Sequence, residues 1–351
     1  MIKPMTISET KPALNPAHRL AVAPMMDWTD RHCRVFHRML APAAMLYSEM
    51  VTADAIIHGD RELLLRGHHS DGSDDAVTLQ LGGSDPSRLA EAVRLAAPYC
   101  YAEYNLNVGC PSDRVQSGRF GACLMAEPEL VRDCLMAMQD AAGGRLVTVK
   151  CRIGIDDMDP ETGLDTFIGT VAESGISHVI IHARKAWLKG LSPKENREIP
   201  PLDYDRVRRL AARFPDLHIS INGGIAAVEQ AAAMAADFDG VMIGRAAYQQ
   251  PFTLARMAAA IQPHDAGDVP DRFAVARRMA DYAARETAAG TRLIAITRHM
   301  LGLMSGLPGA RAWRRRLSED ARGRTDADAA DLIRHATDQI ESEIAARKVA
   351  A

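Results

Sequence analysis

The sequence lacks the paired cysteines that zinc sites and disulfide frameworks use. Its six cysteines, at positions 33, 100, 110, 123, 134 and 151, form no CxxC pair, and no histidine pair with metal-ligand spacing stands near them. Scattered thiols in a chain of 351 residues are typical of a protein from a reducing compartment. We therefore expect no metal site.

Long apolar runs are also missing. No segment approaches the roughly 20 apolar residues of a membrane span. The N-terminal segment MIKPMTISETKPALNPAHRL is polar and contains proline, without the apolar core of a signal peptide. We therefore expect a soluble, cytoplasmic protein with no membrane partner, and no protein partner is evident.

A strong net charge is absent as well. The chain carries 42 basic and 45 acidic side chains, a formal net charge of −3, so the overall composition indicates no nucleic-acid partner. The charge is uneven, however, because the segment from Asp271 to the end has 15 lysines and arginines against 11 acidic residues. A basic C-terminal segment on an acidic body suggests an anionic partner.

Short apolar, β-branched runs bounded by turn-forming residues predict eight strands. They cover residues 19–25, 45–50, 76–83, 102–110, 146–154, 178–184, 218–224 and 240–246. Segments with helical spacing separate most of them, and this alternation, repeated eight times, predicts a (β/α)8 TIM barrel. An open doubly wound sheet is the alternative, but no GxGxxG motif follows the first strand.

The composition of the sequence also predicts where one domain ends and the next begins. The polar segment 262–272 contains proline and glycine and predicts a linker. Amphipathic helices are predicted beyond it, at 273–286, 291–304 and 326–348. We therefore predict an N-terminal extension over residues 1–17, a barrel over 18–261 and a C-terminal helical-bundle domain over 272–346, packed beside the barrel mouth.

Polar or turn-forming residues stand at the C-terminal end of nearly every predicted strand. In a TIM barrel all these ends open on one face, where active sites are built. The last two ends, Asn222-Gly223-Gly224 and Gly244-Arg245, predict a phosphate site, although turns alone would also use glycine. Lys150 would be costly to bury without an anionic partner, and a reduced flavin is one such partner.

Nine segments of the sequence resemble the tRNA-dihydrouridine synthase family, and within it the DusA-type subfamily. In chain order they are APMMDWTDRHCR, LYSEMVTADAIIHGD, LQLGGSDP, NLNVGCPSDRVQSGRFGACLM, VKCRIGIDD, IIHARKAWLKGLSPKENREIPPLDY, SINGGI, GVMIGRAAYQQP and TRHMLGLMSGLPGARAWRRRLSE. The resemblance covers roughly residues 18–340. It implies an FMN enzyme that uses NADPH to reduce uridines of the tRNA D loop, at positions 20 and 20a, with a TIM barrel followed by a helical domain.

The resemblance also implies residue roles. Cys110 would be the catalytic acid. FMN would be held by Pro24, Met25, Met26, Gln80, Lys150, His182, Asn222, Gly223, Gly224, Gly244 and Arg245. The tRNA would be contacted by Asn107, Arg184, Lys194, Arg197, Arg311 and Arg314, most of them in the basic segments 183–198 and 309–316, where Trp313 interleaves with arginines. The alternative interpretation of such a run of charges is a helix face exposed to solvent, without a nucleic-acid partner. Cys151 stands where relatives would have threonine.

The implied reaction explains why a thiol follows the fourth strand. Saturating the C5=C6 bond of uracil needs a hydride at C6, which flavin N5 would supply, and a proton at C5, which Cys110 would donate. A thiol with a pKa of about 8.5 is mostly protonated at neutral pH. The uridine must be turned out of its stack to reach this site. Cys123 is interpreted as a small packed side chain, and the loop before it, with Arg114 and Arg119, as a lid.

Two other functions fit parts of the pattern. A flavin TIM-barrel oxidoreductase of a small molecule would share the phosphate site and the strand-end cysteine. A non-catalytic tRNA-binding protein would share the basic segments.

Overall fold

The computed structural model describes residues 11, 13–65, 76–112, 118–263, 267–322 and 329–350. Eight parallel strands close into a barrel in chain order, and the last strand pairs with the first. The strands are β1 (Leu20–Val22), β2 (Met45–Thr52), β3 (Val77–Gly82), β4 (Glu103–Val108), β5 (Leu146–Arg152), β6 (His178–His182), β7 (His218–Asn222) and β8 (Gly240–Ile243). Each falls on a predicted strand, and the predicted TIM barrel is confirmed.

Helices surround this barrel. They are α1 (Arg31–Leu40), α2 (Ala53–His58), α3 (Arg61–Leu65), α4 (Pro86–Ala96), α5 (Pro128–Ala141), α6 (Thr162–Ala172), α7 (Tyr204–Arg213), α8 (Val228–Asp237), α9 (Arg245–Gln249) and α10 (Pro251–Ile261). Short 3-10 helices cover Pro16–Arg19, Ala97–Tyr99, Gly121–Ala126 and Glu195–Arg197. Local chemistry starts several of the longer helices: the Asp85 carboxylate accepts hydrogen bonds from the Ser87 and Arg88 N–H groups, and Pro86 takes the first position of α4.

Strand β4 shows how the sequence assigns its side chains to two faces. Tyr104, Leu106 and Val108 alternate with polar residues and belong to the main apolar core, which lies between the strands and the outer helices. The polar residues Glu103 and Asn105 face the barrel interior, where Glu103 bonds His18 at 2.7 Å and Asn105 bonds Thr148 at 2.9 Å. The interior of this barrel is therefore partly polar.

A helical region follows the barrel. It contains α11 (Arg272–Ala288), α12 (Leu293–Thr297), α13 (Ala310–Arg315), a π-helical turn over Arg316–Asp320 and α14 (Ala329–Ala350). The helix predicted over 291–304 is wrong beyond Thr297, because the chain continues there in turns. Gly302 lies in these turns, and a Cβ at this position would lie 2.5 Å from the Gln249 carbonyl oxygen, so the backbone itself packs against the end of α9.

The helical region and the barrel share one apolar cluster. Phe36 and Leu40 of α1 and Ala255 of α10 are buried together with residues of the helical region, including Trp313. The Arg272 guanidinium also lies over the Phe252 ring of α10, 3.8 Å from its centroid. The helical region therefore packs on the helices that follow β1 and β8.

Asp30 adds a polar link between the two parts. Its carboxylate caps α1 by accepting the Cys33 N–H at 2.9 Å, and it also accepts hydrogen bonds from Arg298 at 2.6 Å and His299 at 3.1 Å. Burial would raise the pKa of this carboxyl group, but the hydrogen bond and charge of His299 and the donors Cys33 N–H and Arg298 hold it well below its usual value.

Among the described residues, no helix is both long enough and apolar enough to cross a membrane. Within the same part of the chain, the His, Cys, Asp and Glu side chains form no group of three that would suit a metal ion.

Candidate active site at the mouth of the barrel

An amide network joins the third, fourth and fifth strands below the mouth. The Gln80 side chain donates from Nε2 to Asn105 Oδ1 and accepts at Oε1 from Asn107 Nδ2, both at 2.8 Å. Gln80 and Asn107 were predicted to contact flavin and tRNA, respectively. Each is buried and keeps one amide N–H outside the network, because a primary amide has two N–H donors.

Asn107 also shapes the loop that carries Cys110. Its Oδ1 accepts the backbone N–H groups of Gly109 at 3.1 Å and Cys110 at 3.0 Å. The turn after β4 is thus closed by a side chain of the strand itself. Cys110 lies partly exposed at this turn, with its Sγ 3.6 Å from Ser112 Oγ.

Burial raises the thiol pKa of other cysteines of the barrel, among them Cys151 and Cys123. Cys151 is fully buried, and burial raises the pKa of its thiol to about 12. Cys123 is half-buried, burial raises its pKa, and its thiol lies 3.1 Å from the Phe120 carbonyl oxygen. The loop before it was interpreted as a lid. Arg114 lies outside the described residues, and Arg119 is exposed, 4.0 Å from Glu127.

Lys150 pairs in register with Asn107 across β4 and β5, which brings its ammonium group to the same mouth. Burial, followed by the charge of Arg152, lowers the pKa of Lys150 to about 8. Among the described residues it has no hydrogen-bond or ion-pair partner. The site therefore presents an uncompensated cation to whatever lies in the mouth.

Arg152, two residues further along β5, is buried and was not assigned a role from the sequence. Its Nε donates to the Gly109 carbonyl at 2.8 Å, and its Nη1 donates to the Lys185 and Asn196 carbonyls at 3.0 Å each. Burial lowers its pKa to about 10, which leaves the guanidinium charged at neutral pH. Arg152 therefore ties the Cys110 loop to the loop after β6. Its signal in the sequence was its place at the polar C-terminal end of the fifth predicted strand, two residues after Lys150.

His182 ends β6 and packs against the turn after β7. Gly223 has a φ of +120°, and a Cβ there would lie 2.6 Å from His182 Cδ2, so this position needs glycine for both conformation and space. Burial and then the charges of Arg152 and Lys150 hold the pKa of His182 well below its usual value, so its ring is neutral. Asn222 Nδ2 donates to the Met242 carbonyl at 2.8 Å and joins this turn to β8.

Three arginines converge on the side of the mouth near β6 and β8. Arg245 donates to Glu198 Oε1 at 2.7 Å, and Arg184 donates to the Pro200 carbonyl. Burial first, and the charge of Arg245 among further causes, lower the pKa values of Arg184 and Arg197. Gly244, beside them, faces open space, since an added Cβ would meet no atom within 4 Å. One carboxylate among three guanidinium groups leaves an excess positive charge that suits a phosphate.

The end of β1 supplies the apolar side of the mouth. Pro24 and Met25 are half-buried and Met26 is 57% exposed. Next to them, the Trp28 ring stacks on Tyr248, with centroids 4.4 Å apart and planes at 9°. These groups form a surface suited to a flat heterocycle.

The predicted tRNA-binding residues fall into two sets. Arg184, Lys194 and Arg197 lie on the loop after β6, beside the mouth. Arg311 and Arg314 lie on α13, both exposed, and neither side chain has a hydrogen-bond or ion-pair partner in the described part of the chain. Trp313 does not interleave with them at the surface: it is 1% exposed, and its Nε1 donates to the Met300 carbonyl at 3.0 Å.

The chain is similar to proteins of known function. A family model described as Dihydrouridine synthase (Dus) matches residues 21–341. A tRNA-dihydrouridine(20/20a) synthase of Salmonella typhi is 54% identical over 325 residues, which cover 92% of this chain and 96% of that protein. The protein of the same name from Escherichia coli (strain K12) is 56% identical over 304 residues, 86% of each chain. Among solved structures, morphinone reductase has a TM-score of 0.49 at 13% identity, covering 70% of this chain and 87% of that chain.

Proposed function

We propose that this chain, which belongs to the dihydrouridine synthase family, reduces the C5=C6 bond of uridine in tRNA to give 5,6-dihydrouridine. Besides family membership, the observation that carries the proposal is the partly exposed thiol of Cys110, fixed at the barrel mouth between Asn107 and Arg152. Because the similar proteins are named for positions 20 and 20a, we propose the uridines at these positions of the D loop as the substrates.

The proposed cofactor is FMN, with NADPH as its reductant. The mouth fits such a group in two respects: Lys150 lacks a counter-ion among the described residues, and Arg184, Arg197 and Arg245 surround a single carboxylate. When bound, the reduced flavin supplies the hydride. Lys150, His182 and Gln80 would hold the polar edge of the ring, and Pro24, Met25 and Met26 would lie along its face. The phosphate would be held by Asn222, Gly223, Gly224, Gly244 and Arg245.

Cys110 would hold the proton that C5 receives. Its loop is fixed from two sides, since Asn107 accepts its N–H and Arg152 donates to the preceding carbonyl. Such fixation holds the backbone that carries the thiol, and a positioned donor is what general acid catalysis requires. The remaining N–H of Asn107 is available to orient the uracil ring.

The tRNA would contact both parts of the chain. Arg184, Lys194 and Arg197 lie beside the mouth, and Arg311 and Arg314 present unpaired charges on the helical region. Contacts to phosphates would offset the cost of turning a base out of its stack, which is a few kcal/mol. We therefore propose residues 18–261 as the catalytic unit and 272–346 as a tRNA-binding unit, after an N-terminal extension over 1–17. A reducing cytoplasm suits this function and the six free cysteines.

The test is a reduction assay with unmodified tRNA, FMN and NADPH, in which dihydrouridine is measured by mass spectrometry. We expect a yellow protein that forms dihydrouridine in tRNA, and a loss of about 10²-fold or more in turnover for Cys110→Ala. Cys100→Ala is the matched control, because Cys100 is exposed before β4, at the opposite end of the barrel.

Three outcomes would contradict the proposal. Equal reduction of free uridine and tRNA would indicate an oxidoreductase of small molecules. A colourless protein unable to take up FMN would indicate a binding protein. Full multiple-turnover activity of Cys110→Ala would remove Cys110 as the acid.

A further inference from the structure

Trp187 is an exposed aromatic side chain in the loop after β6. Its side chain is 39% exposed, whereas Trp313 is buried and Trp28 is stacked on Tyr248. No role was assigned to it from the sequence, and neither the cofactor residues nor the proposed acid involve it. An indole left facing water beside an active site is available to a ligand.

The backbone of Trp187 is held by a buried side chain. Asn196 is 0% exposed, accepts the Trp187 N–H at 2.8 Å and donates to the Trp187 carbonyl at 2.9 Å. The next residue, Leu188, donates its N–H to Asp156 Oδ1 at 2.8 Å. The indole is therefore presented on a fixed loop, which reduces the entropy lost when a partner binds.

The same loop is connected to the catalytic thiol. Arg152 donates from Nη1 to the Asn196 carbonyl at 3.0 Å and from Nε to the Gly109 carbonyl at 2.8 Å. One buried guanidinium thus links the loop that carries Trp187 to the loop that carries Cys110.

The loop that carries Trp187 is mostly basic. Residues 183–198 contain five lysines and arginines against two glutamates, Glu195 and Glu198. Lys185 Nζ lies 5.9 Å from the indole centroid, and Lys189 and Lys194 are exposed on the same loop. Glu198 is paired with Arg245, which leaves the excess charge of the loop positive. A basic loop that displays one flat aromatic ring is suited to an unpaired nucleotide, whose phosphate and base it would contact together.

We propose that the indole of Trp187 is a stacking platform for a tRNA nucleobase that neighbours the uridine held at Cys110. This inference rests on the proposed function. Turning the uridine out of its stack uncovers the bases beside it, and the indole would replace the stacking that one of them loses. Trp187 would thereby stabilise the opened form of the RNA without touching the reacting atoms.

Three variants of the flavin-loaded full chain test the proposal. Trp187→Ala and Trp187→Leu should raise KM for tRNA by about 5- to 100-fold with little change in kcat, because base–aromatic stacking has this strength. Trp187→Phe should stay within about threefold of the wild type, because it keeps a flat aromatic face. Leucine is the control for volume, since it fills space without a π-system.

Fluorescence gives a readout that does not depend on turnover. The difference between wild type and Trp187→Phe isolates the emission of Trp187, and we expect tRNA to quench it. A KM for Trp187→Leu equal to that of Trp187→Phe, or an emission that tRNA leaves unchanged, would overturn the platform and indicate a packing role or a contact with another protein. If tRNA quenches the fluorescence of Trp187 but no dihydrouridine forms, the proposed function is wrong, whereas the proposal that Trp187 stacks on a tRNA base is supported. If tRNA is reduced and Trp187→Ala keeps its KM, the platform alone fails.

Discussion

At the scale of single residues, position in the barrel decides the chemical state of a side chain. Cys110 and Cys151 have the same thiol, but Cys110 is partly exposed after β4, whereas burial on the outer side of β5 raises the pKa of Cys151 to about 12. Lys150 and Arg152 are both cations on the inner side of β5. Arg152 is bound by three carbonyls and Lys150 by none of the described groups. Arg152 therefore stabilises two loops, and Lys150 is available to a ligand.

Lys150→Met should make the flavin-free protein more stable at pH 7. The pKa of Lys150 is lowered from 10.5 to about 8, so the folded protein holds an unfavourable charge below pH 8. The gain should be up to about 3 kcal/mol in the free energy of unfolding, since one pKa unit corresponds to about 1.4 kcal/mol. It should shrink as the pH rises from 8 to 10.5, where wild-type Lys150 becomes neutral in both states. Urea unfolding at pH 7 and pH 10 measures both effects.

The same variant should bind FMN more weakly, because the cation proposed for the ring edge is gone. A flavin-free Lys150→Met protein less stable than the wild type at pH 7 would mean that the ammonium group has a stabilising partner in solution.

At the scale of elements, one carboxylate takes part both in the start of α1 and in the contact between α1 and the helical region. Asp30 caps α1 and also holds Arg298 and His299. A helix start and a contact between two parts of the chain are thus joined at one residue. Phe36 and Leu40, on the same helix α1, pack against apolar residues of the helical region.

Asp30→Asn should lower the free energy of unfolding at pH 7 by about 2–4 kcal/mol, because it breaks a mostly buried pair. The pKa of Asp30 is lowered on folding, so its stabilisation is present above the unfolded value of about 3.9 and is lost as the pH falls below it. The difference between wild type and variant should therefore shrink between pH 4 and lower values. Denaturant unfolding at pH 7 and in this acidic range measures it.

Asp281→Asn is the matched control for that experiment. Asp281 pairs with Arg334, but its side chain is 61% exposed, and exposed pairs contribute about 0–1 kcal/mol. A loss in Asp30→Asn no larger than in this control would mean that the carboxylate does not hold the helical region to the barrel.

At the scale of the whole molecule, the net charge of −3 hides two basic surfaces. One surrounds the mouth, and the other lies on α13, where Arg311 and Arg314 are three residues apart and exposed. In the described part of the chain, neither Arg311 nor Arg314 forms a side-chain hydrogen bond or ion pair with the basic residues around the mouth. We expect a tRNA long enough to touch both to connect them.

Replacing both Arg311 and Arg314 by alanine should weaken tRNA binding and reduce its dependence on salt. Each phosphate contact contributes about 0.7–0.9 to the slope of log K against log salt, so the slope should flatten by about 1.4–1.8. FMN content should not change. Binding isotherms at several salt concentrations measure the slope.

Arg277→Ala with Arg334→Ala is the matched control, because it removes two arginines of the same region that are already paired with acidic residues. A slope as steep in the Arg311/Arg314 variant as in the wild type would remove α13 from the tRNA interface.

Local sequence patterns were enough to predict the barrel and most of the residues at its mouth. Strand periodicity and turn-forming residues are local properties, and each of the eight strands falls within or close to its predicted segment. Because a closed parallel barrel brings all strand ends to one face, Cys110, Lys150, His182 and Arg245 were expected together before any contact was known.

Which of these side chains have partners within the protein depends on contacts between distant parts of the chain. The three carbonyls held by Arg152 lie 43, 33 and 44 residues away, and Asp30 meets Arg298 across 268 residues. Trp313 and Trp187 both occur among arginines and lysines, yet one is in the core and the other faces solvent. Local pattern does not distinguish them, because burial and partner choice depend on chain segments far away in sequence. The helix predicted over 291–304 ends at Thr297 in the structure, and the turns that follow bring Gly302 against the end of α9, a contact between segments about 50 residues apart.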